Sequence, residues 1–242
     1  MVAFGPYEQH IVDFLLNSVR EKCHQTPGSS IVDIGANIGT HSFAYSTVAD
    51  RVISFEIHPR IYRVLQANVF GIPNIETHNV GVSDTRSTVQ FSYSNTNAGA
   101  SKIVAQHDDE VRNIESLRVI PLDEFEELDP SALVLVKIDV EGHEAHVIRG
   151  MRETLTVSSA VVAFEWDGVS SVFAELRNCG YREFHEVQTY RFPNNGFNRF
   201  KFVRILVFGL SLLRGSVPGL SCRLVQVNEV DKRHYSMILA SK

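Results

Sequence analysis

Ile31-Val32-Asp33-Ile34-Gly35-Ala36-Asn37-Ile38-Gly39-Thr40 is an apolar run that ends in a glycine-containing turn. Its β-branched start predicts a strand buried on both faces of a parallel sheet. Gly35 and Gly39 allow the backbone to turn sharply and to approach a ligand at the carboxyl end of that strand. A helix predicted from Thr40 to Val48 directs its free N–H groups to the same place. The stretch therefore predicts a nucleotide-like ligand.

Two classes of nucleotide cofactor fit such a turn. A dinucleotide site requires G-x-G-x-x-G, whereas this turn has Asn37 at the middle glycine and Thr40 at the last. The next predicted strand, Arg51 to Glu56, ends in an acidic residue. Glu56 follows Gly35 by about 20 residues, the spacing at which a carboxylate binds ribose hydroxyls. This spacing indicates an adenosine cofactor and leaves both NAD and S-adenosylmethionine open.

Asp33 separates the two cofactors. A carboxylate beside the turn suits the amino group and sulfonium of S-adenosylmethionine better than it suits a pyrophosphate. The alternative is that Asp33 only caps the turn through the local backbone. Together with Asn37 and Glu56, it favours S-adenosylmethionine.

Composition sets the class of protein. The 242 residues are enough for one α/β domain, which we assign to 1–242. A formal net charge of −5 argues against a duplex nucleic acid as partner. Cys23, Cys179 and Cys222 are widely spaced and predict reduced thiols rather than a zinc site. Since Met1 to Tyr7 lacks the features of a signal peptide, we expect a cytoplasmic protein.

Predicted strands and helices alternate along most of the chain, which indicates an α/β fold with helices on both faces of a parallel sheet. A helix from Tyr7 to Cys23 forms an N-terminal helical cap over residues 1–28. The later strands are predicted at Ile75 to Val80, Ser87 to Tyr93, Leu133 to Asp139, Ala160 to Trp166, Tyr181 to Val187 and Tyr235 to Ala240, and the later helices begin near Pro59, Gly142 and Val169.

Two stretches interrupt this alternation. Residues 94–116 predict either a solvated loop or a lid over the active site. Residues 189–220 form an apolar and basic insertion before the last strand. Within it, Phe197 to Leu213 suits core or homodimer packing, an apolar wall of the substrate site, or a peripheral membrane contact.

Ionisable groups crowd residues 137–144, at the end of a predicted central strand. This edge of the sheet also carries the Gly35 turn, so Lys137 and Asp139 are predicted to face the reactive end of the cofactor. His143 is the natural general base because its unperturbed pKa lies near neutrality. Asp139 or Glu141 orients it, or accepts the proton if burial raises the pKa. The alternative for His143 is a surface histidine on the first turn of a helix.

Lys137 has a structural interpretation as well. A lysine in an apolar strand pairs with a carboxylate on a neighbouring strand, and Glu165 is the obvious partner. A divalent metal is the weaker alternative to a metal-free site, because no compact ligand motif demands one. Its candidate ligands are Asp139, Glu141, His143, Glu165 and Asp167.

The chain contains four motifs in this order: Val32–Ser42, Phe55–Pro59, Asn79–Asp84 and Val136–Glu144. They resemble the successive motifs of FkbM-type methyltransferases. This resemblance implies a Rossmann-like class I methyltransferase fold, with a seven-stranded, mostly parallel sheet whose last strand is antiparallel. It also implies O-methylation of a hydroxyl by S-adenosylmethionine. By position, Asp33, Gly35, Asn37 and Gly39 would contact the methionine end, Glu56 the ribose, and Gly81 and Val82 the adenine.

We therefore predict an O-methyltransferase acting on a hydroxyl of a small molecule, sugar or lipid-like metabolite. Two alternatives remain open: a catalytically silent subunit that binds S-adenosylmethionine, and a nucleic-acid methyltransferase. The acidic and basic residues after Asp139 favour the enzyme, because a silent subunit has no need of them.

Overall fold

This computed structural model describes residues 9–92, 102–103, 114–166, 171–191, 220–227 and 235–242. The helices are α1 (Gln9–Gln25), α2 (Thr40–Tyr45), α3 (Pro59–Asn68), α4 (Glu144–Arg149), α5 (Arg152–Val157) and α6 (Val172–Asn178). The strands are β1 (Ser30–Ile34), β2 (Arg51–Phe55), β3 (Ile75–His78), β4 (Gly81–Val82), β5 (Ser87–Ser92), β6 (Lys102–Ile103), β7 (Ile114–Ile120), β8 (Leu133–Ile138), β9 (Val161–Trp166), β10 (Glu183–Arg191), β11 (Leu220–Gln226) and β12 (Tyr235–Ser241).

The main sheet has the strand order β11-β10-β12-β9-β8-β1-β2-β3. Strands β3, β2, β1, β8 and β9 are parallel neighbours. The last strand, β12, is antiparallel to both β9 and β10. The predicted α/β fold with a mostly parallel sheet and an antiparallel last strand is confirmed. Strand β12 lies inside the sheet, between β10 and β9.

The sheet contains eight strands instead of the expected seven. The additional strand is β11, which pairs antiparallel with β10 from His185 to Arg191. The sequence-based assignment places no strand at residues 220–226, and the predicted insertion at 189–220 overlaps β11 only at Leu220. Residues Phe197 to Leu213 lie outside the described ranges.

A second, smaller sheet has the order β4-β7-β5-β6. The antiparallel strand predicted at Ser87 to Tyr93 is present as β5, which pairs with β7 along its length. Within residues 94–116, strand β6 and the start of β7 are described, and the remainder lies outside the described residues.

The core lies on both faces of the main sheet. Every residue of β1 and β8 is buried, as their apolar sequences require. On one face, α1 contributes Leu15 and Val19, which are fully buried in the same cluster as Ile31. Among the described helices, none is both long and apolar enough to cross a membrane.

Helix α5 has no counterpart in our sequence-based assignment. Its first turn is capped by a residue from a distant part of the chain, since Asp123 accepts hydrogen bonds from the backbone N–H groups of Glu153 and Thr154 at 3.0 and 2.9 Å. A cap supplied from 30 residues away leaves no local start signal in the sequence.

Candidate active site

The Gly35 turn packs directly against the end of β8. Gly35 has a φ of +77°, and a Cβ built on it would lie 1.9 Å from the carbonyl oxygen of Asp139. Asn37 also has a positive φ, of 52°, a conformation that asparagine tolerates better than most residues. Gly39 precedes α2, which begins at Thr40. The turn therefore requires small or tolerant residues, and it brings β1 and β8 together at one edge of the sheet.

Glu56 follows β2 and connects the Gly35 turn to the neighbouring strand. Its carboxylate accepts hydrogen bonds from the backbone N–H groups of Asn37 and His58, at 2.9 and 2.8 Å. Burial raises the pKa of Glu56, and the two N–H donors oppose that shift. The structure thus places this carboxylate beside the turn, as its spacing from Gly35 predicts.

Asp33 lies beneath the turn and is fully buried. Its Oδ2 accepts a hydrogen bond of 2.6 Å from Ser42 Oγ, which in turn accepts one of 2.9 Å from Ser54 Oγ. Its Oδ1 lies 3.6 Å from Lys137 Nζ. Because Asp33 has no exposed surface, the structure does not place it in direct reach of a ligand at this edge of the sheet. We assigned no role to Ser42 or Ser54 from the sequence. A polar serine within the apolar strand β2 can nevertheless indicate a buried hydrogen bond.

Lys137 pairs with carboxylates, as its position in an apolar strand predicts. Its ammonium lies 3.1 Å from Asp139 Oδ2 and donates a 3.3 Å hydrogen bond to the carbonyl oxygen of Gly35. On the neighbouring strand the ion pair is with Asp33 rather than with the expected Glu165. The register explains the difference, since Lys137 is directly opposite Asp33 in the pairing of β8 with β1.

Three carboxylates converge just above this ion pair. Asp139, Glu141 and Glu165 each place one oxygen within 4.8 Å of the other two. The ammonium of Lys137 lowers the pKa of Asp139, and a hydrogen bond with Glu165 lowers it further. Burial and the charges of Asp139 and Glu144 raise the pKa of Glu141. The site thus holds a carboxylate that stays ionised beside one with a higher proton affinity.

His143 contacts a different part of the chain, Ser83 and His146. Its Nε2 is 2.9 Å from Ser83 Oγ, and its ring stacks on His146 with a centroid distance of 4.3 Å. Burial lowers the pKa of His143 to about 4, with a further contribution from His146. The pKa of His143 in the fold therefore lies below the unperturbed value that makes histidine a natural general base. Of the five candidate metal ligands, Asp139, Glu141 and Glu165 come together, and Asp167 lies outside the described residues.

The predicted adenine segment is strand β4. A Cβ on Gly81 would lie 2.7 Å from Ile57 Cδ1, so this position requires glycine unless Ile57 moves. Val82 is buried. Asn79, just before the strand, donates hydrogen bonds to the carbonyl oxygens of Glu56 and Ile57. These contacts join the segment to the Glu56 side of the site.

The geometry thus joins a glycine turn, a buried acid after the second strand, and acidic residues after the fourth parallel strand. The methyltransferase FkbM domain matches residues 33–183, which is more than half of the chain. The chain belongs to the FkbM methyltransferase family. The match begins at Asp33 and includes each of the predicted site residues.

A curated relative of this FkbM-family methyltransferase is the hexuronic acid methyltransferase AglP of Haloferax volcanii. The two are 28% identical over 157 residues, which cover 64% of this chain and 61% of the relative. The alignment thus spans about three fifths of that relative's length.

Similar solved structures share low identity with the chain. A precorrin-6y C5,15-methyltransferase from Geobacter metallireducens is 13% identical with a TM-score of 0.48, covering 99% of this chain and 95% of the other. An FkbM methyltransferase from Methylobacillus flagellatus is 14% identical with a TM-score of 0.42, covering 94% of this chain and 52% of the other.

Proposed function

We propose that this FkbM-family methyltransferase transfers a methyl group from S-adenosylmethionine to a hydroxyl of a sugar. The observation that carries this proposal is the group of three carboxylates, Asp139, Glu141 and Glu165, at the edge of the sheet where the Gly35 turn lies. Carboxylates accept hydrogen bonds from hydroxyl groups and can take up their protons. The relative named for hexuronic acid supports a sugar as the acceptor.

The residues present suit S-adenosylmethionine. Glu56 would hold the ribose hydroxyls, and the Gly35 turn would hold the methionine end through backbone groups. The described site contains three carboxylates and one ammonium, that of Lys137. The remaining negative charge suits a ligand that carries a sulfonium and an amino group. When bound, this cofactor supplies an electrophilic methyl group. We propose that Asp33 acts indirectly, by fixing Lys137.

Glu141 is the base that the site supports best. Its raised pKa makes it a better proton acceptor than Asp139, whose pKa the ammonium of Lys137 lowers. During methyl transfer the bond between the methyl carbon and the sulfonium would break, leaving S-adenosylhomocysteine, and the hydroxyl proton would pass to a carboxylate oxygen of Glu141. Asp139 stays ionised and orients the hydroxyl by accepting a hydrogen bond.

His143 suits a different role in this scheme. Its imidazole is neutral at pH 7 because its pKa is about 4, and its Nε2 is already engaged with Ser83. A base with so low a pKa removes a proton from a hydroxyl less effectively than Glu141 does. We therefore propose that His143 connects the loop after β8 to the segment that follows β4.

The proposal is tested by incubating the protein with S-adenosylmethionine carrying a labelled methyl group and four acceptors: a hexuronic acid glycoside, a neutral hexose glycoside, a long-chain alcohol and duplex RNA. We expect label on a sugar that resists mild alkali, because an ether resists alkali and a methyl ester is hydrolysed. Label that alkali releases, label in RNA only, or no transfer to any hydroxyl would contradict the proposal. The last result would favour a silent subunit.

The base is tested with Glu141→Gln in the same assay. We expect kcat to fall by about 10²- to 10⁴-fold, the usual contribution of a general base. Glu153→Gln is the matched control, because Glu153 is an exposed glutamate on α5. Equal activity of the two variants would remove Glu141 from the mechanism.

A further inference from the structure

We propose that Glu144 is a positioning residue that holds Glu141 among the site carboxylates. This inference rests on the proposed function, in which Glu141 accepts the proton. Glu144 is the first residue of α4, and its side chain is only 3% exposed. A buried carboxylate so close to an acidic site needs a structural reason, since burial of a charge is costly unless it is hydrogen-bonded.

The hydrogen bonds of Glu144 supply that reason. Its Oε1 accepts hydrogen bonds from the backbone N–H groups of Val140 and Gly142, at 3.3 and 3.1 Å. These two groups lie on either side of Glu141 in the chain. The carboxylate of Glu144 therefore clamps the backbone of the loop that carries Glu141, and it does so from the rigid start of a helix.

The loop needs such a clamp because its backbone is strained. Glu141 has a φ of 53° and Gly142 a φ of 94°, so two consecutive residues are left-handed. A residue with a Cβ adopts this conformation only when its surroundings hold it there. Without the Glu144 bonds we expect Glu141 to return to an ordinary backbone conformation, which would turn its side chain away from Asp139 and Glu165.

Two variants test the hydrogen bonds of Glu144 to the loop. Glu144→Ala removes the acceptor oxygen. Glu144→Gln keeps one side-chain oxygen, which suffices because both N–H groups bind the same Oε1. Glu153→Ala, at the exposed glutamate of α5, is the control for the loss of a carboxylate.

For Glu144→Ala we expect kcat to fall by about 10- to 100-fold, as for a misplaced catalytic group. We expect the affinity for S-adenosylhomocysteine to stay within about twofold of that of the unchanged protein. A twofold change in affinity corresponds to about 0.4 kcal/mol. For Glu144→Gln we expect most of kcat to return. An unchanged kcat in Glu144→Ala, or a kcat in Glu144→Gln that falls as far as in Glu144→Ala, would overturn the inference. If Glu144→Ala does not fold, a kcat of Glu144→Gln reduced by about tenfold or more overturns it.

NMR of the backbone amide of Glu141 in selectively labelled protein needs no acceptor, because its coupling to the Hα depends on φ. We expect Glu144→Gln to keep the positive φ of Glu141 and Glu144→Ala to lose it. This result supports the inference even if no acceptor is found, so that a failure of the proposed function is recognised separately. An unchanged coupling in Glu144→Ala overturns the inference.

Discussion

Removal of the buried ammonium of Lys137 is expected to destabilise the fold strongly. Its Nζ lies 3.6 Å from Asp33 Oδ1, and the two side chains are 3% and 0% exposed. At an effective dielectric constant of about 20, this separation corresponds to an attraction of about 4–5 kcal/mol. The Lys137→Met substitution leaves Asp33 as a buried charge without this partner, which typically costs about 3–5 kcal/mol. We expect the free energy of unfolding to fall by that amount.

The double variant Asp33→Asn/Lys137→Met identifies the cause of this loss. Because it removes the fully buried charge of Asp33 and leaves only the partly exposed Asp139 without the ammonium, it should be at least about 2 kcal/mol more stable than Lys137→Met alone. Urea unfolding at pH 7, followed by the fluorescence of the single tryptophan, Trp166, measures both. Arg63→Met, at an exposed site on α3, should change stability by less than about 0.5 kcal/mol. A loss below about 1 kcal/mol in Lys137→Met, or a double variant no more stable than it, would refute this reasoning.

Two further predictions concern the turn and the loop after β8. Gly35→Ala should destabilise the protein by about 1–3 kcal/mol more than Gly28→Ala does. Both glycines have a positive φ, but a Cβ added at Gly35 would clash with the Asp139 carbonyl oxygen, whereas a Cβ added at Gly28 would have no atom within 4 Å. Equal melting temperatures of the two variants would contradict this. His143→Gln should reduce the pH dependence of stability between pH 6.5 and pH 4 by about 2–3 kcal/mol, as measured by urea unfolding across that range. Because the pKa of His143 is lowered to about 4 in the fold, the unfolded chain takes up this proton at a higher pH than the folded chain does. The free energy of unfolding therefore decreases as the pH is lowered from 6.5 to 4. If Glu141 is the base, kcat of His143→Gln at pH 7 should stay within about threefold of the unchanged protein, whereas a general base contributes about 10²-fold or more.

The features that the sequence predicts well are those that depend on local pattern. The apolar run before Gly35 specifies a strand buried on both faces, and the glycines specify the turn that follows. Glu56 lies beside that turn because parallel strands end at the same edge of a sheet. The carboxylates after β8 and β9 meet for the same reason.

The features that it does not predict depend on partners far along the chain. The sequence alone suggests that His143 is available as a base, because its hydrogen-bond partner Ser83 lies 60 residues away in the chain. The partner of Lys137 is set by strand register, which distinguishes Asp33 from Glu165 only once β8 is paired. Glu144 belongs to the same motif as Glu141. Its proposed role depends on the hydrogen bonds that it accepts from backbone N–H groups of the loop, which the sequence does not show.

The central claim, that Glu56 and the Gly35 turn form a site for S-adenosylmethionine, is tested most directly by calorimetry with S-adenosylhomocysteine. We predict binding in the micromolar range, about −8 kcal/mol. Glu56→Gln should weaken it by about tenfold or more, because hydrogen bonds to a charged group contribute about 1.5–3 kcal/mol. NAD should bind more weakly than S-adenosylhomocysteine. No binding, a preference for NAD, or an affinity that Glu56→Gln leaves unchanged would contradict the account.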